Sequence, residues 1–415
     1  MTHQITVWRQ LTGAQIWLKG WVTPQLYALL GLVFRCKHIL SIFDPSPNPI
    51  FVLLDANIYD SALLFVMLFI AIPKVSRSTP IFIPVPPSTD QNLTSGSITE
   101  WLDEFAVMPV KCHSHNDYWR SRPLVSALMA GCTGIEADVW LSEDGKDLLI
   151  GHDRAALIPH NSLRNMYLDP LLGILDYRNP DKMLEGHGRQ SQALGVFRSQ
   201  TPLILMIDVK ENATAIWKVV LEQLAPFRHK GYLRRYENGT VWSGPLVVVG
   251  SGDLQLDTLV ASSSEVPYYD YHDTFLDAPL GEISDASSVR WTKTYNTSNS
   301  YYASASFGAA IGSARAGFSE KQLRLLRWQI QIARSGGLYS RYWDVPEWPI
   351  NYRDYLWNTL TQEGVGMLSV DDVDSAAKQS WTTNYLSSVD GMAATSCILF
   401  FTAVLFVGYI LVKAR

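Results

Sequence analysis

Short apolar runs and helix-spaced segments take turns along the chain from residue 105 to about 378. The runs are Val107–Cys112, Gly134–Leu141, Leu203–Val209, Leu246–Val249, Gly337–Trp343 and Val365–Val370. Runs of this length, rich in Val, Ile and Leu and apolar on both faces, predict buried strands. Between them, Leu323, Leu326, Ile330 and Ala333 keep helical spacing after a capping-box pair, Ser319 and Gln322. Gly336 and Gly337 stop that helix, and a second pattern runs from Tyr352 through Leu356 and Leu360 to Gly364. Strand and helix repeated over about 270 residues is the rhythm of a TIM (β/α)8 barrel. A doubly wound open sheet has the same alternation, and periodicity does not separate the two. No internal repeat is visible.

The ends follow other patterns. Residues 1–60 mix Trp8, Trp17 and Trp21 with the apolar run Leu26–Phe34 and a Pro-rich turn at 45–49, and specify no domain. Residues 61–77 hold the uncharged run Ala62–Pro73 followed by Lys74 and Arg77. That is short for a span but fits a signal or signal-anchor core; a buried strand or helix is the plainer alternative. Residues 78–104, rich in Pro, Ser and Thr at their start, read as a linker, and so do residues 379–391. Residues 392–412 carry no charge over 21 positions and are closed by Lys413 and Arg415. This predicts a C-terminal transmembrane helix with its basic end in the cytoplasm and the barrel on the luminal or extracellular side. A tail anchor, with the barrel in the cytosol, is the competing arrangement. The sequons at Asn92, Asn212, Asn238 and Asn296 fit the luminal one.

Composition narrows the partners. A net charge of -5 offers no basic surface for nucleic acid. Fourteen Trp and nineteen Tyr suit a surface that meets lipid or sugar, or simply a large core. Cys36, Cys112, Cys132 and Cys397 show neither metal-ligand spacing nor CxxC. Cys112 falls near the carboxyl end of one strand and Cys132 ahead of the next. Parallel neighbours put those points at opposite ends of the barrel, so the expectation is two core thiols without a bridge.

Candidate chemistry gathers between Val110 and Asp153. Residues i and i+2 of a strand share a face, so His113 with His115, Glu136 with Asp138, and Asp208 with Lys210 form such pairs. Polar groups near the carboxyl ends of barrel strands line the mouth where barrel active sites lie. Buried carboxylates from adjacent strands need a cation, and oxygen ligands suit Mg2+ or Ca2+. His152 and Asp153 end the run Leu148–Gly151, which the turn Ser142–Gly145 folds back along the Glu136 strand. A solvated edge strand, a turn histidine and a surface lysine are the bland alternatives for Glu136, His152 and Lys210.

The motifs HSHNDYWR, PLVSALMAGC, EADVWL and LLIGHD, then MIDVK, FLDAPL, YWDVPEWP and LSVDDV, resemble the fungal altered inheritance of mitochondria protein 6 family. That family belongs with the phospholipase C-like phosphodiesterases, alongside glycerophosphodiester phosphodiesterases and sphingomyelinase D. The resemblance covers residues 105–378. It implies a TIM barrel, a divalent metal on Glu136, Asp138 and Asp208, and acid-base histidines at His115 and His152. Lys210 and Asn116 are then expected at the substrate phosphate. His113, Asp153, Trp343 and Asp371 are expected in supporting roles. The HRG triplet of glycerophosphodiesterases is HND here, so their substrate does not carry over. The expected activity is hydrolysis of a phospholipid, lysophospholipid or glycerophosphodiester at a membrane, where a neighbouring substrate hydroxyl can attack first to give a cyclic phosphate. A non-catalytic lipid-binding or scaffold barrel and an amidohydrolase-type metallohydrolase using His113-x-His115 are the alternatives.

Overall fold

In a computed structural model of the chain, the described residues are 94–180, 193–262, 266–284, 294–381, 385, 398–407, 409, 410 and 413. The segments expected at 1–60 and 61–77, and Asn92, lie outside them.

Eight parallel strands close on themselves: β1 (Val110–Ser114), β2 (Cys132–Leu141), β3 (Leu203–Val209), β4 (Leu246–Gly252), β5 (Thr274–Pro279), β6 (Ser300–Ser306), β7 (Tyr339–Trp343) and β8 (Met367–Val370). Closure runs through β1, which pairs with both β8 and β2. This is the TIM-type barrel, and a cylinder of this kind excludes the open-sheet alternative. The helices that cover it include α1 (Ser95–Glu104) ahead of β1, α2 (Val125–Ala130) after it and α3 (Asp169–Arg178) after β2. α4 (Ala213–Gln223) follows β3, α5 (Glu320–Ser335) follows β6, α6 (Ile350–Gln362) follows β7 and α7 (Val373–Lys378) follows β8. The capping box at α5 forms as expected, with Ser319 accepting from the Gln322 backbone and the Gln322 side chain accepting from Ser319.

Period-2 alternation sorts each strand into two cores. Ile135, Ala137 and Val139 of β2, with Leu205 and Ile207 of β3, pack outward against the helices. Ile204, Met206, Val247, Val249, Phe275, Tyr302 and Met367 fill the barrel interior. In β3 the inward series Ile204, Met206, Asp208 therefore runs from apolar floor to polar mouth. Glu136 and Asp138 stand level with it, since Glu136 pairs with Met206 and Asp138 with Asp208 across the β2–β3 ladder.

Two additions matter later. Beyond its barrel pairing, β2 continues into an antiparallel hairpin with Leu148–Ile150. At the other end of the barrel, a small sheet of Arg235–Glu237, Thr240–Trp242 and Tyr271–His272 sits where the chain enters β4, tied by Arg234 N–H to Leu246 O and by Leu246 N–H to Tyr232 O.

The expectation of two separate thiols is overturned. Cys112 and Cys132 are joined in a disulfide, with α-carbons 4.7 Å apart. The strand ends differ from the regular placement that the sequence suggests. β2 already begins at Cys132, opposite Val110, and His113 lies opposite Gly134. Over that interval β1 advances three residues while β2 advances two, a β-bulge that carries Cys112 back beside Cys132. Both residues are fully buried.

At the C-terminus, residues 398–407 are helical and expose Ile398, Phe400, Phe401 and Leu405. Among the described residues no helix is long and apolar enough to cross a membrane. Residues 392–397, 408 and 411–412 of the expected span lie outside the described residues.

Replacing both cysteines by serine is expected to lower the unfolding free energy by about 3 kcal/mol, the loop-entropy value for a crosslink of this sequence separation. Urea denaturation of the double variant against the parent measures it, and equal midpoints would show that the bridge adds nothing.

Candidate active site

Polar side chains at the carboxyl ends of the strands surround a cavity of about 430 Å³. His115, Asn116, Glu136, His152, Asp208, Lys210 and Trp343 all line it, so most of the expected residues meet in one place. The geometry explains how each is held.

β2 and β3 supply the carboxylates. One oxygen from each of Glu136, Asp138 and Asp208 lies within 4.8 Å of the others. Glu136 and Asp138 are buried, and the Oδ1 atoms of Asp138 and Asp208 are buried without a hydrogen-bond partner among the described residues. Glu136 Oε2 and the Oδ2 atoms of Asp138 and Asp208 are occupied. Glu136 Oε2 receives Arg341 at 2.6 Å and His113 Nε2 at 3.2 Å. Asp138 Oδ2 receives Lys210 Nζ at 2.7 Å and the Tyr118 hydroxyl at 2.7 Å. Lys210 also donates to Asp208 Oδ2 at 2.9 Å.

Charge follows from these contacts. Burial raises the Glu136 carboxyl, but Arg341 and His113 outweigh it and hold the group well below the usual carboxylate range. Asp208 is pushed up to about 6 by burial and by the Glu136 charge, with Lys210 opposing. Asp138 moves up for the same reasons. Crowded carboxylates that drift toward the protonated form are short of positive charge. The unpartnered buried oxygens and an all-oxygen donor set fit a hard divalent cation, which Glu136, Asp138 and Asp208 could hold together.

The histidines divide clearly. His113 is fully buried on β1, donates from Nε2 to Glu136 and receives the Tyr302 hydroxyl at Nδ1, 3.3 Å away. Burial lowers it to about 4, so it is a neutral prop with both nitrogens occupied. Its ring fits because β2 has glycine opposite: a Cβ on Gly134 would stand 2.3 Å from His113 Nδ1. His115, two residues on, donates from Nδ1 to Asp371 Oδ1 at 3.0 Å. Burial alone would lower its pKa, but the Asp371 hydrogen bond and the Glu136 charge prevail, and the net shift is upward. His152 arrives on the hairpin, fixed by Gly151 N–H to Asp138 O at 3.2 Å, and its Nδ1 lies 3.3 Å from Asp138 Oδ2. Each of the two cavity histidines thus has one nitrogen on a carboxylate, which leaves Nε2 for chemistry.

Asn116 takes the left-handed conformation at the end of β1, with φ of 47°. Its carboxamide oxygen lies 2.8 Å from the Tyr118 hydroxyl. Asp153 does not join the cavity lining. It caps the turn Arg154–Ala156, accepting from Ala155 N–H at 2.9 Å and Ala156 N–H at 3.0 Å. Its contacts are those of a turn cap behind His152. His272, the later histidine that an amidohydrolase site would need, has Nδ1 on Tyr268 O at 2.7 Å and Nε2 on Ser298 O at 2.6 Å.

Sequence reasoning missed Arg341, Asp277, Tyr118 and Arg120. Arg341, on β7, is buried and links Glu136 to Asp277, 3.5 Å from its guanidinium. Burial pushes Asp277 up to about 7 against the Arg341 charge. Arg120 donates to His115 O at 2.9 Å and stands 3.9 Å from Asp371. A charged residue inside a strand run, as in Ser-Arg-Tyr-Trp or Phe-Leu-Asp-Ala, was the available signal.

The model of an AIM6-like phosphodiesterase domain matches residues 104–277. The altered inheritance of mitochondria protein 6 homolog of Arthroderma benhamiae is 33% identical over 281 residues, covering 65% of this chain and 83% of the relative. The altered inheritance of mitochondria protein 6 of Eremothecium gossypii is 32% identical over 281 residues, covering 65% and 69%. A solved glycerophosphodiester phosphodiesterase from Parabacteroides distasonis aligns with 65% of this chain and 95% of its own, at 13% identity and a TM-score of 0.36.

Replacing Asp371 by Asn removes the carboxylate that favours the His115 imidazolium, so His115 is expected to titrate at lower pH. Imidazole NMR titration of the variant and parent reads the shift; an unchanged His115 would mean that Asp371 does not set its charge.

Proposed function

Because the chain belongs to the altered inheritance of mitochondria protein 6 family, we propose that it is a metal-dependent phosphoric diester hydrolase. Its substrate in this reading is a phospholipid, lysophospholipid or glycerophosphodiester. The observation that carries the reading is the convergence of three carboxylates and two carboxylate-held histidines on one cavity.

His115, with Nδ1–H directed to Asp371, takes or delivers a proton at Nε2, and His152, backed by Asp138, does the same for the opposite oxygen of the diester. One removes the proton of the attacking hydroxyl while the other protonates the leaving oxygen. A divalent cation such as Mg2+ or Ca2+, when bound, would neutralise charge that builds on the phosphoryl oxygens. Lys210 adds a point charge at the cavity wall, and Asn116 offers a carboxamide beside it. Trp343, half-exposed at the end of β7, gives the cavity an apolar side for the organic part of the substrate. In the same reading residues 392–412 anchor the chain to the membrane in which lipid substrates reside, since 21 uncharged residues match the thickness of a bilayer.

His115→Ala and His152→Ala are each expected to lower kcat by about 100- to 10,000-fold, the usual value of one acid-base group. Glu136→Ala and chelation by EDTA should abolish turnover, with Mg2+ restoring it after chelation only. The measurement is hydrolysis of bis(p-nitrophenyl) phosphate, glycerophosphocholine and lysophosphatidylcholine. Full activity in Glu136→Ala or His152→Ala would sink the assignment.

A further inference from the structure

Three features converge on where this barrel is made, and the first two play no part in the hydrolase reading. The Cys112–Cys132 bridge is fully buried, so it closes during folding and is shielded from reductants afterwards. Bridges of that kind belong to oxidising compartments. The second feature is the surface placement of the sequons. The third is the basic end of the chain, Lys413 and Arg415 after the uncharged run, which favours the cytoplasmic side for that end.

The described sequons differ in their fitness as acceptors. Asn296 is half-buried and its side-chain oxygen accepts from Ser298 N–H at 2.9 Å. Asn212 is exposed, but it caps α4 by accepting from Ala215 N–H and sits two residues after Lys210, beside the cavity mouth. Asn238 is different on every count. With Gly239 it forms the two-residue tip of the hairpin Arg235–Glu237 and Thr240–Trp242, with φ of 48° and 82°. An Asn-Gly loop suits that conformation. Asn238, Gly239 and Thr240 are all exposed, and the Asn238 side chain makes no hydrogen bond among the described residues. This hairpin lies where the chain enters β4, at the end of the barrel away from the mouth, so a bulky group there leaves the cavity open.

We propose that Asn238 carries an N-linked glycan and that the barrel folds in an oxidising, glycosylating compartment. Glycan attachment joins Asn238 Nδ2 to C1 of an oligosaccharide linked to a lipid pyrophosphate. The C1–O bond breaks, the lipid pyrophosphate leaves with the electron pair, and the amide gives up one proton. Bridge closure takes two electrons and two protons from the Cys112 and Cys132 thiols. A protein disulfide that exchanges with them is reduced to a dithiol in return.

The test uses the full chain expressed in a eukaryotic host with an intact secretory pathway. Peptide-N-glycosidase treatment should increase its gel mobility. Asn238→Gln should remove the Asn238 part of that shift, and Thr240→Ala, which keeps the asparagine, should remove the same part. Alkylation in denaturant should label Cys112 and Cys132 only after reduction. Wild-type protein with no glycosidase shift overturns the proposal, as does a shift that survives intact in both variants. Cysteines alkylated without reduction overturn the compartment assignment. The outcome is independent of whether the chain hydrolyses any diester.

Discussion

Three carboxylates crowded at the top of β2 and β3 repel one another in a largely buried place where water screens them little. Nearly every polar contact around the cavity answers that repulsion. Lys210 bridges Asp138 and Asp208, Arg341 crosses from β7 to Glu136, and Tyr118 donates toward Asp138. Set against three negative charges, these two fixed cations leave a deficit of one, and Asp208 records the strain by moving toward protonation. A hard cation is the group that such a deficit suits. The histidines fit the same scheme, because each takes its orientation from a carboxylate.

The barrel makes the crowding unavoidable. Parallel register sets Asp138 level with Asp208, and period-2 alternation turns Glu136 to the same side. Below them the interior is apolar, so the polar groups have no route to water except through the mouth. Burial and register together convert three ordinary acidic residues into one charged unit. Removing Lys210 or Arg341 alone would leave part of that unit unpaired in a low-dielectric setting, which is the costly way to break a buried ion pair.

Much of this could be read along the chain. The strand runs ending in Glu-x-Asp, His-Asp and Asp-x-Lys located the site, because strands hold i and i+2 on one face regardless of what surrounds them. The pair His113 and His115, one on β1 and one just past its end, was legible in the same way, and the fold places the two in different surroundings, one in the barrel interior and one at the mouth. Arg341 and Asp277 were harder. They lie about 200 and 140 residues beyond Asp138, and only ring closure brings β5 and β7 across from β2. Asp153 looks in sequence like a companion of His152 but caps its own loop, as Asp side chains do where a turn begins. The disulfide is not legible in the sequence because the β-bulge that brings Cys112 to Cys132 leaves no signal in the apolar pattern.

That irregularity has a wider effect. The bulge between Val110 and His113 gives β1 one residue more than its neighbour over the same length. It therefore sets the phase of everything that follows on β1, including which residues look into the barrel. His113 and His115 face inward only while that extra residue is accommodated, and Cys112 is the residue on which the accommodation is pinned. The cystine and the histidines are thus parts of one frame. A relative without the cystine would need some other device to keep β1 in step, and the spacing between that device and the two histidines would have no slack.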